Sequence, residues 1–548
     1  MAKQAYDPTD RVSLDGSVHG KGDDYRDPYE RDSDILLYSS AFRRLKGVTQ
    51  VLPAVDDSAR THDRMIHSLK VAQVGKRIAQ KLIKSSDTPT QHKEYILPEA
   101  VYFAGLAHDL GHPPFGHAAE KELQRILGDE SSETRADFRL GDAFEGNAQT
   151  FRTLVRLSQK SRGSQKGDPA KLGMMLTTAS LIAVSKYPWA KDTYEDEIEP
   201  LKQLISDNDD NSAKKYYASK WGVYDDDLPV WRIARSLLRQ EDGKFYHINA
   251  QIMDLADDIT YAVHDIVDHF RSGAIPPLSV PWGDELFDAY TQDAIKERRS
   301  SVYTVPEWRN AIQWLGRLST SITKRYGDGR IDRGLLHEFE SAVVRSVTAE
   351  VKLNKYGNLK IKPSTRLALE GLKQLTWYYV IDNPALSAAQ MGQRRVIRQL
   401  HEWLCDWFLS CEDPQGAKEE YNLRRIPARF RDYVQDMKNT DSEIRLSVLG
   451  SADGGDIQLE GVSNADRDYL SRAGEELKEQ IRENRCVISE KNFVYSRDDV
   501  VVTRPMTKKE MISRAAVDYI VSLTDDEAVK LHQNLAAING VSTMHWLA

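Results

Sequence analysis

A chain of 548 residues is longer than one hydrophobic core usually serves, so at least two lobes are expected. Its 40% hydrophobic content, with 10 Trp and 24 Tyr, and its 29% charged residues fit a packed globular protein and argue against disorder. A net charge of −8 removes any global basic signature for nucleic acid and leaves only local basic pockets.

The opening MAKQAYDPTD carries no apolar signal region, and no run of about eighteen apolar residues occurs, so no membrane span is expected. Cys405, Cys411 and Cys486 show no CxxC pairing and read as buried reduced thiols of a cytoplasmic protein. Residues 1–30 are polar and read as an arm that orders only against the body or a neighbour. From Asp34, the recurrence of Ile35, Leu36, Tyr38, Phe42 and Leu45 at three- and four-residue steps predicts a helix. Met65 to Ile83 repeats the pattern, and Leu97 to Asp109 forms a third helix with Pro98 in its first turn.

Residues 159–170 and 190–215 are rich in Lys, Ser, Asp and Glu and read as loops or exposed insertions, with Glu195 to Glu199 a solvated face. Helices resume at 230–239 and 249–271. Ser272-Gly273 and Pro276-Pro277 then break the chain near residue 275. Further helices are expected at 308–326, 334–351, 365–381, 394–409 and 508–535, while 444–462 and 486–502 alternate like hairpins. The expectation is a mainly α protein: an arm at 1–30, a helical core at 31–275 with an insertion around 159–245, and a mostly helical 276–548 with a small β excursion.

Chemistry concentrates in Ala107 to Glu120, where His108, His112 and His117 share a short stretch with Asp109 and Glu120. Adjacent His108 and Asp109 offer one imidazole nitrogen and one carboxylate oxygen at the same point. That mix suits Mg²⁺, Mn²⁺ or Fe²⁺ better than a thiolate-held structural zinc. His67 starts a helix whose other face is apolar, so its ring can point inward; nothing comparable singles out His62 beside it. On the Gln251–Phe270 wheel, Asp254, Asp257, Tyr261, Asp265 and Asp268 fall within an arc of about 80°. Ile252, Leu255, Ile259, Val263, Ile266 and Phe270 take the opposite side. Alone, this is an ordinary solvated acidic face. The Tyr embedded in it, and the want of a fourth ligand elsewhere, argue for more.

The His…His-Asp…Asp order resembles the HD phosphohydrolases, and within them the bacterial deoxyguanosine triphosphate triphosphohydrolases and their dNTPase-like relatives. The resemblance covers most of 29–270. It rests on Ser40-Ala-Phe-Arg-Arg-Leu45 with Thr49-Gln50-Val51, on Arg64-x-x-His67-Ser68, and on His108 to Glu120. It continues through Phe144-Glu-Gly-Asn-Ala-Gln149, Lys186-Tyr-Pro-Trp189 and Ala256 to Tyr261 with Asp265, and returns at Arg514 to Asp525. Many relatives carry histidine at the position of Gly146; the dGTPase branch has glycine, as here.

The resemblance implies an HD-domain helical core and metal ligation by His67, His108, Asp109 and Asp257. The ion would be Mn²⁺ or Mg²⁺, with Fe²⁺, Co²⁺ or Ni²⁺ as alternatives. It implies catalytic roles for His117 and Glu120 as an acid/base pair and for Arg64 on phosphate. Lys186 would also meet phosphate, Asn147 would belong to the same substrate-facing motif, and Gln50, Tyr187, Tyr261 and Asp265 would surround the sugar and base. The implied activity is hydrolysis of a dNTP to deoxynucleoside and tripolyphosphate. The implied assembly is a homo-oligomer, hexamer or tetramer, with a dNTP effector.

Two other readings compete. One is an HD phosphohydrolase acting on an alarmone or a monophosphate, which would not need the lining of Gln50, Lys186-Tyr187 and Tyr261. The other is a nucleotide-sensing or single-stranded nucleic-acid-binding oligomer, for which Arg424, Arg425, Arg429 and Arg431 offer a basic cluster. Complete ligand and acid/base sets argue against pure sensing.

Overall fold

The computed structural model describes residues 8–13, 18–20, 24–50, 63–128, 136–158, 173–191, 220–237, 247–278, 285–299, 305–354, 357–411, 422–437, 441–449, 456–458, 493–496 and 499–536. His62, Cys486, the Glu195–Glu199 run and most of the 159–245 insertion lie outside them. The described chain is mainly helical, as expected, and none of its helices is long and apolar enough to cross a membrane. It divides into two compact units: Met1–Gly116 with Gly146–Val223 and Val230–Gly392, and His117–Glu145 with Tyr224–Pro229 and Gln393–Ala548.

In the first unit, helices Arg64–Lys84, Pro98–Ala107, Ile248–Arg271, Val305–Leu318, Arg330–Glu350 and Pro363–Thr376 enclose one apolar core. Val71, Ile78, Leu82, Val101, Ile259, Val263, Leu315, Phe339, Leu367 and Leu372 meet there, spaced as the three- and four-residue steps require. Asp63 starts the Arg64–Lys84 helix by accepting from Ile66 N at 2.8 Å. The Pro98–Ala107 helix crosses it so closely that a Cβ on Gly105 would stand 2.4 Å from the Ala72 Cα. That approach places His108 and Asp109, which follow the helix end, beside His67.

Boundaries differ from the periodic reading where capping intervenes. The helix expected from Asp34 is two, Pro28–Leu37 and Ser40–Arg44, because the Ser39 side chain accepts from Phe42 N and opens a second start. The helix expected over 365–381 ends at Thr376 and continues as a π-turn, Trp377–Ile381. Arg11, in a two-residue strand paired with Val18–His19, docks the N-terminal arm on Asp32 at 2.6 Å.

The second unit holds helices His117–Gly128, Ala428–Met437, Lys508–Val521 and Asp525–Leu535. Phe408, Phe430 and Tyr519 pack at its centre. The single helix expected over 508–535 is broken, because Thr524 and Glu527 form a reciprocal capping box that starts a new one. The β excursion is a four-stranded antiparallel sheet in the order Asp456–Gln458, Asp441–Leu449, Asp499–Pro505, Phe493–Ser496. Its central pairing, Ile444 with Val502, joins the two expected hairpins.

Candidate metal centre

Three separate segments bring His67, His108, Asp109 and Asp257 to one point of the first unit. His67 Nε2 lies 3.0 Å from Asp257 Oδ1, and His108 Nε2 lies 3.5 Å from both Asp257 Oδ1 and Asp109 Oδ1. The ligating atoms of His67, His108 and Asp109 all fall within 4.8 Å of one another. All three residues are buried, and Asp257 is half-buried.

The local sequence explains why these atoms meet. His108 Nδ1 donates to Gly105 O at 2.8 Å, which fixes the tautomer and leaves the lone pair on Nε2. Thr150 Oγ1 accepts from Gly111 N at 2.9 Å and donates to His108 O at 3.0 Å, stitching the segment to the Gly146–Arg152 helix. A Cβ on Gly111 would stand 2.1 Å from Gly146 O, so this contact needs glycine. Arg44 Nη2 donates to His112 O at 2.6 Å and Leu110 O at 3.2 Å, giving the Ser40–Leu45 motif a positioning role that sequence reading did not assign. Phe115 and Gly116 then turn the chain through left-handed conformations, φ 67° and 58°. A side chain at Gly116 would also meet Arg64 Nη2 at 2.6 Å.

The donor set fits a divalent cation. His108 Nε2 is buried with no hydrogen-bond partner among the described residues, although two carboxylate oxygens face it. Lone pairs pointed at one another repel unless a proton or a metal stands between them. The pKa shifts express the same demand. Burial alone would lower that of His108, but Asp109 and Asp257 raise it to about 9. For Asp109 and Asp257 burial works upward, yet His108 and the surrounding donors and cations hold both carboxyls well below the usual range. Two imidazole nitrogens and two carboxylate oxygens are ligands for an Mg, Mn, Fe, Co or Ni type ion.

Around the donors, Arg64 is 1% exposed and spends Nη1 on Asp109 Oδ2 at 2.9 Å and Nε on Thr49 O at 3.2 Å. Its Nη2 is buried without a partner among the described residues. His112 Nδ1 stands 3.0 Å from Asp109 Oδ1, so His112 orients a candidate ligand. Lys186 Nζ pairs with Asp254 and lies 3.7 Å from Asp257 Oδ2. The acidic face of the Ile248–Arg271 helix is therefore not a solvated one; cations from other segments meet it.

Farther along that helix, Tyr261 hydrogen-bonds Asp265, whose buried Oδ2 is left without a partner among the described residues. Burial, and then Asp268, push the Asp265 carboxyl well above its ordinary range. Tyr187 is 2% exposed and packs edge-on against Trp189. Asn147 is half-buried in the first turn of the Gly146–Arg152 helix. Gln50 buries an Oε1 that has no hydrogen-bond partner among the described residues. His117 and Glu120 open the first helix of the second unit, where His117 Nδ1 donates to Glu120 Oε2 at 2.8 Å and leaves Nε2 outward on a ring that is 58% exposed.

A helical core that gathers a His…His-Asp…Asp set from three segments defines an HD-domain phosphohydrolase, and the HD domain family matches residues 64–262. A deoxyguanosinetriphosphate triphosphohydrolase-like protein of Streptomyces coelicolor is 37% identical over 412 residues, 71% of this chain and 84% of the relative. One from Corynebacterium glutamicum is 32% identical over 395 residues, 70% and 80% of the two chains. One from Corynebacterium efficiens is 29% identical over 423 residues, 72% and 86%. The chain belongs to the deoxyguanosinetriphosphate triphosphohydrolase-like family.

Proposed function

We propose that the protein is a divalent-metal-dependent dNTP triphosphohydrolase of the dGTP type, releasing deoxynucleoside and tripolyphosphate. The observation that carries this reading is the buried, cation-demanding cluster of His67, His108, Asp109 and Asp257 inside the HD domain of a chain from this family. A bound Mn²⁺ or Mg²⁺ would polarise an α-phosphate oxygen and supply a nucleophilic water.

The remaining work falls to the chain. Arg64 holds Asp109 in its ligand orientation, and its spare Nη2 is the donor left for a phosphate oxygen. Lys186, anchored by Asp254 and near Asp257, neutralises charge on the departing phosphates. Tyr261 and Asp265 meet the deoxyribose, the Asp265 carboxyl accepting from a sugar hydroxyl; burial and Asp268 push that carboxyl above its ordinary range. Gln50, Asn147 and Tyr187 take their places around the nucleotide by resemblance alone. The same basis gives His117, its tautomer set by Glu120, the proton on the leaving oxygen.

The test is product analysis. The protein is incubated with each dNTP, singly and in pairs, with Mn²⁺ or Mg²⁺, and the products are separated by chromatography. Deoxynucleoside with tripolyphosphate is the expected result. Monophosphate with pyrophosphate overturns the cleavage position, and no turnover of any dNTP overturns the substrate.

A further inference from the structure

The two histidines of the centre are fixed by different means. His108 Nδ1 donates to Gly105 O at 2.8 Å, and that bond sets its ring. The Nδ1 of His67 is buried and has no hydrogen-bond partner among the described residues. His67 also stands in the first turn of the Arg64–Lys84 helix, with only Arg64, Met65 and Ile66 before it. A helical side chain leans over the turn that precedes it, so here its own helix does little to confine the ring.

Two other imidazoles pack against it instead. Centroid to centroid, the His67 ring lies 5.4 Å from that of His108 at 56° and 5.9 Å from that of His264 at 77°. His264 is 4% exposed on the Ile248–Arg271 helix of the same unit. It follows Asp257 by seven residues, about 20° short of two full turns, so both occupy one helix face. That face meets His67 twice: the Asp257 carboxylate stands at Nε2, and the His264 ring makes an edge-to-face contact. A separation of 5.9 Å between centroids is too long for a nitrogen-to-nitrogen hydrogen bond, so the contact is one of ring shape.

We propose that His264 is a positioning residue of the metal centre, its ring holding the His67 imidazole in the orientation that presents Nε2 to the ion. The proposal rests on the reading of His67 as a metal donor. A ring free to turn about its side-chain torsions loses that freedom on ligating, and the loss opposes binding. A ring already packed against His264 has lost it before the ion arrives. Residues that orient ligands by hydrogen bonds typically change metal affinity about 10- to 100-fold when replaced. A contact of shape belongs at the low end of that range, and another aromatic ring can replace it.

Calorimetric titration of the metal-free, full-length protein with Mn²⁺ tests this without turnover. His264→Ala is expected to weaken Mn²⁺ about tenfold, or about 1.4 kcal/mol, whereas His264→Phe should stay within about threefold of wild type. The phenyl ring keeps the flat surface and removes both ring nitrogens. In hydrolysis assays the Mn²⁺ concentration giving half-maximal rate should rise by the same factor in His264→Ala. A merely structural contact would lower the melting temperature of His264→Ala and leave the Mn²⁺ affinity of folded molecules unchanged, and that result overturns the proposal. So does a loss in His264→Phe as large as in His264→Ala, which would trace the effect to hydrogen bonding by the imidazole. Should His264→Ala not fold, His264→Gln, which keeps polar atoms and loses the ring, decides in the same way. Wild-type protein that binds no Mn²⁺ overturns the reading of His67 as a donor, an outcome distinct from unchanged affinity in the variant.

Discussion

Two buried charge clusters in the first unit are alike in burial and opposite in completeness. Around Asp32, which is fully buried, both carboxylate oxygens are met by donors. Arg11 Nη1 donates to one at 2.6 Å, and Thr177 donates to the other through N at 3.0 Å and Oγ1 at 2.6 Å. Arg11 also reaches Met175 O and Pro28 O. Around His108 the opposite holds: Nε2 faces two carboxylate oxygens at 3.5 Å and bonds to neither. A carboxylate with both oxygens met by donors makes a clamp. A surplus of acceptors makes a seat for a cation. The first cluster is held by its own donors, whereas without metal the second is balanced only while His108 carries a proton between its two carboxylates.

The largest effect on turnover should come from the second cluster. Asp109→Ala and His108→Ala remove a candidate ligand, so dNTP turnover should fall on the order of 10³-fold or more, read by deoxynucleoside release. Both should also lower the metal-free melting temperature at neutral pH: Asp109→Ala leaves Arg64 buried without its carboxylate, and His108→Ala removes the positive partner of Asp109 and Asp257. A folded variant that keeps wild-type turnover would collapse the contrast.

Next in size is the clamp. Asp32→Ala leaves the Arg11 guanidinium buried without its carboxylate, which costs about 3–5 kcal/mol in denaturant unfolding. Turnover per folded molecule should persist, since Asp32 lies outside the donor cluster. Loss of activity without loss of stability would place Asp32 in the site and end the distinction.

Metal itself should separate the two. At about 100 times its Kd a cation bound only by the folded state adds about 2.7 kcal/mol. Mn²⁺ should therefore raise the melting temperature of wild type and Asp32→Ala and leave His108→Ala where it was.

The smallest effect is a pH dependence of the metal-free protein. His108 carries a pKa raised from 6.5 to about 9, so its contribution is complete below 6.5 and is lost as pH climbs through 9. Asp109 and Asp257, held low, contribute above their ordinary range and lose that contribution as acid protonates them. Stability of the metal-free protein should decline between pH 6.5 and 9, and His108→Ala should remove that decline. An equal decline in both proteins would trace it to another group.

Much of this was legible in the residue order. Periodicity placed the helices that carry His67, His108 and Asp257, because burying one face is a local requirement repeated every turn. Adjacent His108 and Asp109, and the Tyr within the acidic stripe, marked the ligand chemistry before any distance was known. Ends were less legible: Ser39 and Thr524 start new helices where the apolar pattern runs on, since a cap is one side-chain hydrogen bond.

Sequence by itself determined the elements, the ligand types and the family. Tertiary structure alone decided the pairings. Nothing near Arg64 in the chain says that its guanidinium would hold Asp109, and nothing near Lys373, set among Leu369, Leu372 and Leu375, says that it would meet Asp258. Nor does any local signal show the chain passing repeatedly between two compact units, or strand 441–449 pairing with 499–505. The physical reason is range. Helix periodicity and capping act over one or two turns and are written in neighbouring residues. Ion pairs between remote segments depend on which backbones approach, and here Gly105 against Ala72 and Gly111 against Gly146 set those approaches.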